Sequence, residues 1–271
     1  MTHPLSHPIL ATMKTYSFAK YSGNGNDFVM VSSEEALTKD TVIQFCDRHF
    51  GIGADGVITL GSSSKADGRM RIYNADGGEA EMCGNGLRCL ATYMDERKTH
   101  KKDSYLIETM NAVYPVLRKG QSFKIEMAEI KDKNLFDLSG FKDFQKSFYI
   151  NTGVPHLIFL ASDIKRIDLK KIAPFYRHHA LFPKGTNVTL VEIKHGSHQE
   201  AYARTYERGV EDETFSCGTG LTATALALSD WFGWNGEISL VTKGGQHWVS
   251  IGDKIFYSGE VRKCFEGTIN L

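Results

Sequence analysis

The feature that most constrains this chain is that it echoes itself. Cys83-Gly84-Asn85-Gly86-Leu87 returns 134 residues later as Cys217-Gly218-Thr219-Gly220-Leu221. Arg71-Ile72-Tyr73-Asn74 returns as Arg204-Thr205-Tyr206-Glu207 at an offset of 133, and Phe50-Gly51-Ile52-Gly53 as Phe182-Pro183-Lys184-Gly185 at 132. A weaker echo, at 128, sets Gly25-Asn26-Asp27-Phe28-Val29 against Gly153-Val154-Pro155-His156-Leu157. One such match is within reach of chance, because glycine-rich loops resemble one another. Four in the same order, at a slowly drifting offset, imply a duplicated unit of about 130 residues.

Each unit reads as strands around one helix. Val42, Phe45, Cys46 and His49 have helical spacing, and Gly51 just beyond is a stop signal. Seven segments (56–60, 69–73, 156–160, 187–193, 200–206, 237–241 and 254–257) are rich in β-branched and aromatic residues and bounded by turn formers, so they are expected as strands. After each Cys-Gly-x-Gly comes a helical stretch. Residues 218–229 carry no charge at all, and a helix apolar on every side belongs inside a core. Residues 84–98 begin the same way and end in Asp95-Glu96-Arg97-Lys98. The expected fold class is α+β, built twice, each copy a sheet wrapped around a central buried helix.

Composition narrows the function. With 32 basic and 32 acidic residues the chain is formally neutral, which argues against a nucleic-acid or membrane-surface partner. No apolar run nears the roughly 20 residues that a membrane span needs. Residues 1–13 carry no Lys or Arg, hold too short an apolar stretch for a signal peptide, and are expected to form a disordered extension. The five cysteines (46, 83, 89, 217 and 264) are odd in number and include no C-x-x-C, which disfavours a disulfide framework or a structural zinc site. Reduced thiols in a cytoplasmic protein are expected.

Alone, each cysteine would be a small buried hydrophobe. Two of them, however, immediately precede the two helices. A helix start offers free N–H groups and a partial positive charge, which favour a thiolate and are expected to lower the thiol pKa. The glycines that follow let a carboxylate reach those N–H groups. If the halves face each other across a cleft, Cys83 and Cys217 flank one ligand from opposite sides. One thiolate then removes an α-proton and the other thiol delivers a proton to the opposite face, inverting the carbon with no metal or organic cofactor. Cys46, Cys89 and Cys264 lack such context and are expected to be structural.

The motifs Gly25-Asn26-Asp27-Phe28-Val29, Gly51-Ile52-Gly53-Ala54-Asp55-Gly56, Asn74-Ala75-Asp76-Gly77, Cys83-Gly84-Asn85-Gly86, Glu207-Arg208-Gly209 and Cys217-Gly218-Thr219-Gly220 resemble those of diaminopimelate epimerases, over nearly the whole chain. The resemblance implies two pseudo-symmetric lobes with strongly curved, mostly antiparallel sheets and a cleft between them. The N-terminal lobe is expected over 14–131, completed by 261–271, and the C-terminal lobe over 132–260. It implies interconversion of LL- and meso-2,6-diaminopimelate for lysine and peptidoglycan precursors, a small amino-acid substrate, and a homodimer. By resemblance Cys83 and Cys217 are the acid/base pair, and Gly84, Asn85, Gly218 and Thr219 hold the reacting carboxylate. His156 and Glu207 lie near the α-amino group, while Asn26, Asn74, Asn187 and Arg208 recognise the rest of the substrate. Two positions depart from the family pattern. Val154 stands where many members have Asn, and Gly56 where some have Gln.

Two other readings are weaker. Gly51-Ile52-Gly53-Ala54-Asp55-Gly56 fits the dinucleotide fingerprint G-x-G-x-x-G, but the expected helix before it and strand after it reverse the order that fingerprint needs. A racemase for another amino acid, such as proline, hydroxyproline or glutamate, is the closer rival, and those for proline and hydroxyproline have elements similar to Cys-Gly-x-Gly; the Asn-Ala-Asp-Gly and Glu-Arg-Gly stretches favour diaminopimelate.

Overall fold

The computed structural model describes residues 14–127, 129–133 and 136–271, so the extension expected over 1–13 lies outside the described residues. The first half runs β1 (Thr15–Gly23), β2 (Asn26–Ser32), α1 (Lys39–Cys46), β3 (Gly56–Gly61), β4 (Gly68–Asn74), β5 (Glu79–Ala80), α2 (Gly84–Glu96), β6 (Ser104–Glu108), β7 (Val113–Lys119) and β8 (Ser122–Glu126). The second half repeats that order: β9 (Lys146–Asn151), β10 (Pro155–Leu160), α3 (Leu169–Arg177), β11 (Asn187–Ile193), β12 (Glu200–Glu207), β13 (Asp212–Thr214), α4 (Gly218–Phe232), β14 (Gly236–Thr242), β15 (Gly245–Ile251) and β16 (Ile255–Gly259). A last strand, β17 (Val261–Asn270), returns to pair antiparallel with β1.

The pairings repeat as faithfully as the order. β2–β3 and β4–β6 are parallel in the first half, and β10–β11 and β12–β14 are parallel in the second; the other pairs are antiparallel. The halves join where β8 pairs antiparallel with β16, Ile125 facing Tyr257.

Side-chain alternation explains the packing. In β2, Phe28 and Met30 turn inward to the core around α2, whereas Val29 and Val31 turn outward to a second core under α1. In β10, Ile158 and Leu160 face the central core while Leu157 and Phe159 pack with α3. These strands are covered on both faces, so they read as unbroken apolar runs. The charge-free helix α4 buries Leu221, Ala223, Ala225, Ala227 and Leu228 completely, each leucine contributing about 2 kcal/mol. It extends past Ser229 to Phe232, where Gly233 ends it in the left-handed conformation.

One local expectation changes, and one helix was not expected. α1 ends at Cys46, so His49 is not helical: Asp47 turns the chain by accepting the His49 and Phe50 amides at 2.7 and 2.8 Å. α3 gave no clear sequence signal, because Pro174 sits inside it and reads as a stop. The segment 51–56 does lie between helix α1 and strand β3, the reverse of a dinucleotide fold.

Candidate active site

Cys83 and Cys217 are the N-cap residues of α2 and α4. Both have extended backbones, and their carbonyls accept the first helical bonds, from Leu87 at 2.9 Å and Leu221 at 2.8 Å. Neither side chain closes a regular capping hydrogen bond, so amide N–H groups at both helix starts remain available to a ligand.

The junction of the two halves brings these starts together. A Cβ on Gly84 would lie 2.8 Å from Ile125 Cδ1, and one on Gly218 would lie 3.1 Å from the Tyr257 ring. Ile125 and Tyr257 are direct partners across β8 and β16. Each helix therefore rests its first glycine on one half of the same strand pair. Contact across the seam is direct: Asn85 Nδ2 donates to Ser216 Oγ at 3.3 Å, one residue before Cys217.

Both thiols are shifted opposite to the sequence expectation. Burial pushes Cys217 up to about 12; Glu207 adds to this, against the Thr219 hydroxyl and the Gly220 amide. Burial also pushes Cys83 up, opposed by the Gly86 and Asn85 amides and by Arg88. Helix-start amides do favour the anions as expected, but removal from water outweighs them. Cys217 is only 7% exposed, while Cys83 keeps a partial opening.

The C-terminal half supplies a linked set of polar groups. Thr219 Oγ1 lies 3.5 Å from Cys217 Sγ and 3.0 Å from His156 Nε2, and Thr152 Oγ1 donates to the Thr219 carbonyl at 2.9 Å. His156 is fully buried, and burial with the charge of Arg208 pushes it down to about 3, so the ring is neutral. Among the described residues its Nδ1 has no hydrogen-bond partner. Burial pushes the Glu207 carboxyl up, against the hydrogen bond that the Thr214 hydroxyl donates to it.

The other expected residues divide. Asn26 Nδ2 points at Cys83 Sγ from 3.9 Å. Asn74 ends β4 opposite Gly56, the place that Glu207 holds in the second half. Asn187 is buried and its amide is already engaged, donating to the Pro155 carbonyl at 2.8 Å and accepting from the Arg208 amide at 2.7 Å. It clips two backbone segments together. Arg208 Nη1 is held by the Lys184 carbonyl at 3.0 Å. A Cβ on Gly56 would lie 2.5 Å from the Tyr73 carbonyl, so this backbone leaves no room for a side chain there.

A buried polar hub that was not expected from the sequence lies beside the helix starts. Arg88 Nη2 donates to Asn85 Oδ1 at 2.7 Å and Asn24 Oδ1 at 3.1 Å, and Tyr257 OH meets Asn85 Oδ1 at 3.3 Å. His247 links Tyr257 OH to Thr242 Oγ1, at 2.9 Å on each side. A lone charge between Leu87 and Cys89 in an otherwise apolar turn was the available signal.

The sequence profile of the family described as diaminopimelate epimerase matches residues 18–128 and 148–264. A diaminopimelate epimerase of Methanothrix thermoacetophila is 37% identical over 278 residues, covering 95% of this chain and 97% of that protein. One from Methanocella arvoryzae is 36% identical, covering 96% and 98%. Among solved structures, a PhzF-family phenazine biosynthesis protein of Bacillus anthracis superposes with a TM-score of 0.73 over 95% of this chain and 99% of that one, and at 16% identity the likeness is one of fold. With the family profile matched in both halves of the chain and relatives alike from end to end, this chain belongs to the diaminopimelate epimerase family.

Proposed function

We propose that the chain interconverts LL- and meso-2,6-diaminopimelate, with Cys83 and Cys217 as the two acid/base groups. The observation that supports the chemistry is the seating of both cysteine-capped helix starts, one from each half, on the Ile125–Tyr257 pair. Family membership carries the choice of substrate.

One thiolate takes the α-proton and becomes a thiol. The other thiol gives its proton to the opposite face of the carbon and becomes a thiolate. Reversal exchanges their roles, and proton exchange resets the pair. Burial helps, because a thiolate whose conjugate acid is weak is a stronger base for an α-proton. Gly84, Asn85, Gly218 and Thr219 would hold the carboxylate on both helix starts, whose amides also meet the charge developing on it. Neutral His156 and Glu207 would orient the α-amino group. Asn26, Asn74 and Arg208 would meet the distal end, with Asn187 acting through the Arg208 backbone that it holds.

The lobes are taken as 14–131 with 261–271, and 132–260, the cleft lying between them. We further propose a cytoplasmic homodimer that needs no added cofactor and serves lysine and peptidoglycan precursor synthesis. Among the described residues no helix is long and apolar enough to cross a membrane.

NMR of LL-diaminopimelate with reduced protein in D2O tests the reading. Loss of the α-proton signal with growth of the meso isomer is expected. A folded, reduced sample that exchanges nothing overturns the substrate, and proline, hydroxyproline and glutamate are then tried in turn.

A further inference from the structure

Phe215 and Ser216 are the last two residues before Cys217, and each is held by a polar side chain from elsewhere in the chain. The Phe215 carbonyl accepts from Thr242 Oγ1 at 2.8 Å, and Ser216 Oγ accepts from Asn85 Nδ2 at 3.3 Å. The fully buried side chains of His247, Tyr257 and Arg88 join Thr242 to Asn85. Thr242 Oγ1 meets His247 Nε2 at 2.9 Å, and His247 Nδ1 meets Tyr257 OH at 2.9 Å. Arg88 Nη2 donates to Tyr257 OH at 3.4 Å and to Asn85 Oδ1 at 2.7 Å. One loop of hydrogen bonds therefore leaves the backbone at Phe215, crosses from β14, β15 and β16 to α2 of the other half, and returns at Ser216.

The protons in this loop run one way. Two oxygens 2.8 Å apart need a hydrogen between them, and the Phe215 carbonyl has none to give. The Gly244 amide reaches both oxygens, at 2.9 and 3.0 Å, but one shared N–H does not separate their lone pairs. The single hydroxyl proton of Thr242 thus points at Phe215, and His247 Nε2 must carry the proton that joins it to Thr242. Burial, with Arg88 nearby, pushes His247 down to about 3, so the ring is neutral. Its Nδ1 is then bare and accepts the Tyr257 hydroxyl proton. The Tyr257 oxygen and Asn85 Oδ1, 3.3 Å apart, both take their hydrogens from Arg88, which leaves the Asn85 NH2 facing Ser216.

The loop is one-sided in a duplicated fold. Tyr257 stands where the first half has Ile125, at an offset of 132, and isoleucine cannot extend a chain of hydrogen bonds. Arg88 stands where the second half has Thr222, whose hydroxyl returns to the Gly218 carbonyl at 2.9 Å. The Tyr257 ring is also the surface on which Gly218 rests.

We propose that His247, with its proton on Nε2, is a positioning residue for Cys217: it holds Tyr257 beneath Gly218 on one side and, through Thr242, the Phe215 carbonyl on the other. The catalytic part of this assignment rests on the two-thiol reading given above.

Long-range 1H–15N NMR of the reduced, full-length chain labelled with 15N-histidine reads the tautomer, with His247→Gln to identify the signals. Near pH 7 a proton on Nε2 and none on Nδ1 is expected; a proton on Nδ1 overturns the assignment. Thr242→Val keeps the side-chain shape and removes the hydroxyl. Alkylation by iodoacetamide, read cysteine by cysteine by peptide mass spectrometry, should then run about tenfold faster at Cys217, with Cys46 and Cys89 unchanged, and Thr242→Ser should restore the native rate. A folded Thr242→Val protein with an unmoved Cys217 overturns the assignment. In turnover, Thr242→Val should lower kcat about tenfold with KM within about twofold, because thiol placement counts most as the proton moves. A loss confined to KM overturns the positioning role. If Thr242→Val does not fold, the tautomer in the unaltered chain decides. Neither the tautomer nor alkylation needs turnover, so a failure to epimerise diaminopimelate would strike the substrate reading and leave those two results standing.

Discussion

Ile125 and Tyr257 face each other across β8 and β16, and each bears the first glycine of one cysteine-capped helix. This single strand pair is the point about which the duplicated halves are arranged. It brings two helix starts that are 134 residues apart in the chain onto one support.

That relationship makes the two glycines unequal to substitution. Gly84→Ala would press on Ile125 Cδ1, the free end of a flexible side chain, whereas Gly218→Ala would press on the stiff ring of Tyr257. We expect Gly218→Ala to lose more activity, and Ile125→Val to rescue Gly84→Ala by emptying the clashing space. Steady-state kinetics of the single and double variants check this, and an additive double variant would contradict it.

Removing either thiol should abolish inversion. Cys83→Ala and Cys217→Ala are each expected to lose about 10³-fold or more in kcat while staying folded. Near-normal turnover by either variant in the D2O assay would rule out two acid/base thiols.

Burial of Cys217 couples stability to alkaline pH. Its folded value is pushed from 9.0 to about 12, so the fold prefers the thiol over the thiolate. The unfolded chain loses this proton first, and the resulting stability is complete below about pH 9 and lost as pH rises toward 12. Thermal melts from pH 8 upward should fall more steeply for the native chain than for Cys217→Ala. Parallel curves would contradict it.

His156 acts in the opposite direction. Burial pushes it from 6.5 down to about 3, so below pH 6.5 the unfolded chain takes up a proton that the fold refuses. Stability from this group is present above 6.5 and is lost as pH falls toward 3; His247 behaves likewise. His156→Gln should flatten the acid side of the melting profile, and an unchanged slope would show the ring to be protonated in the fold.

Asn187 is expected to matter for stability as much as for substrate. Asn187→Ala leaves the Pro155 carbonyl and the Arg208 amide without their partner, at a cost of about 2 kcal/mol. Urea denaturation measures this, and a variant with altered KM but native stability would return Asn187 to direct substrate recognition.

The features legible along the chain were local or repeated. The duplication was legible because order survives divergence. The buried α4 was legible because residues 218–229 carry no charge, and the helix starts because glycines follow each cysteine. The two halves share their element order and strand pairings in the structure, as such a repeat requires.

Tertiary structure alone decided what depends on distant groups meeting. The thiols looked acidic beside their own helix amides, yet burial in the closed fold strips water from them and raises both. Asn187 looked free to bind substrate until the fold brought Pro155 and Arg208 to its amide. Arg88, Tyr257 and His247 form a hub only once β16 brings Tyr257 to Arg88 of α2 and β15 sets His247 beside Tyr257. Helix caps and apolar runs act over a few residues and can be read in one dimension; desolvation and cross-strand register sum over atoms that only the closed fold brings within reach.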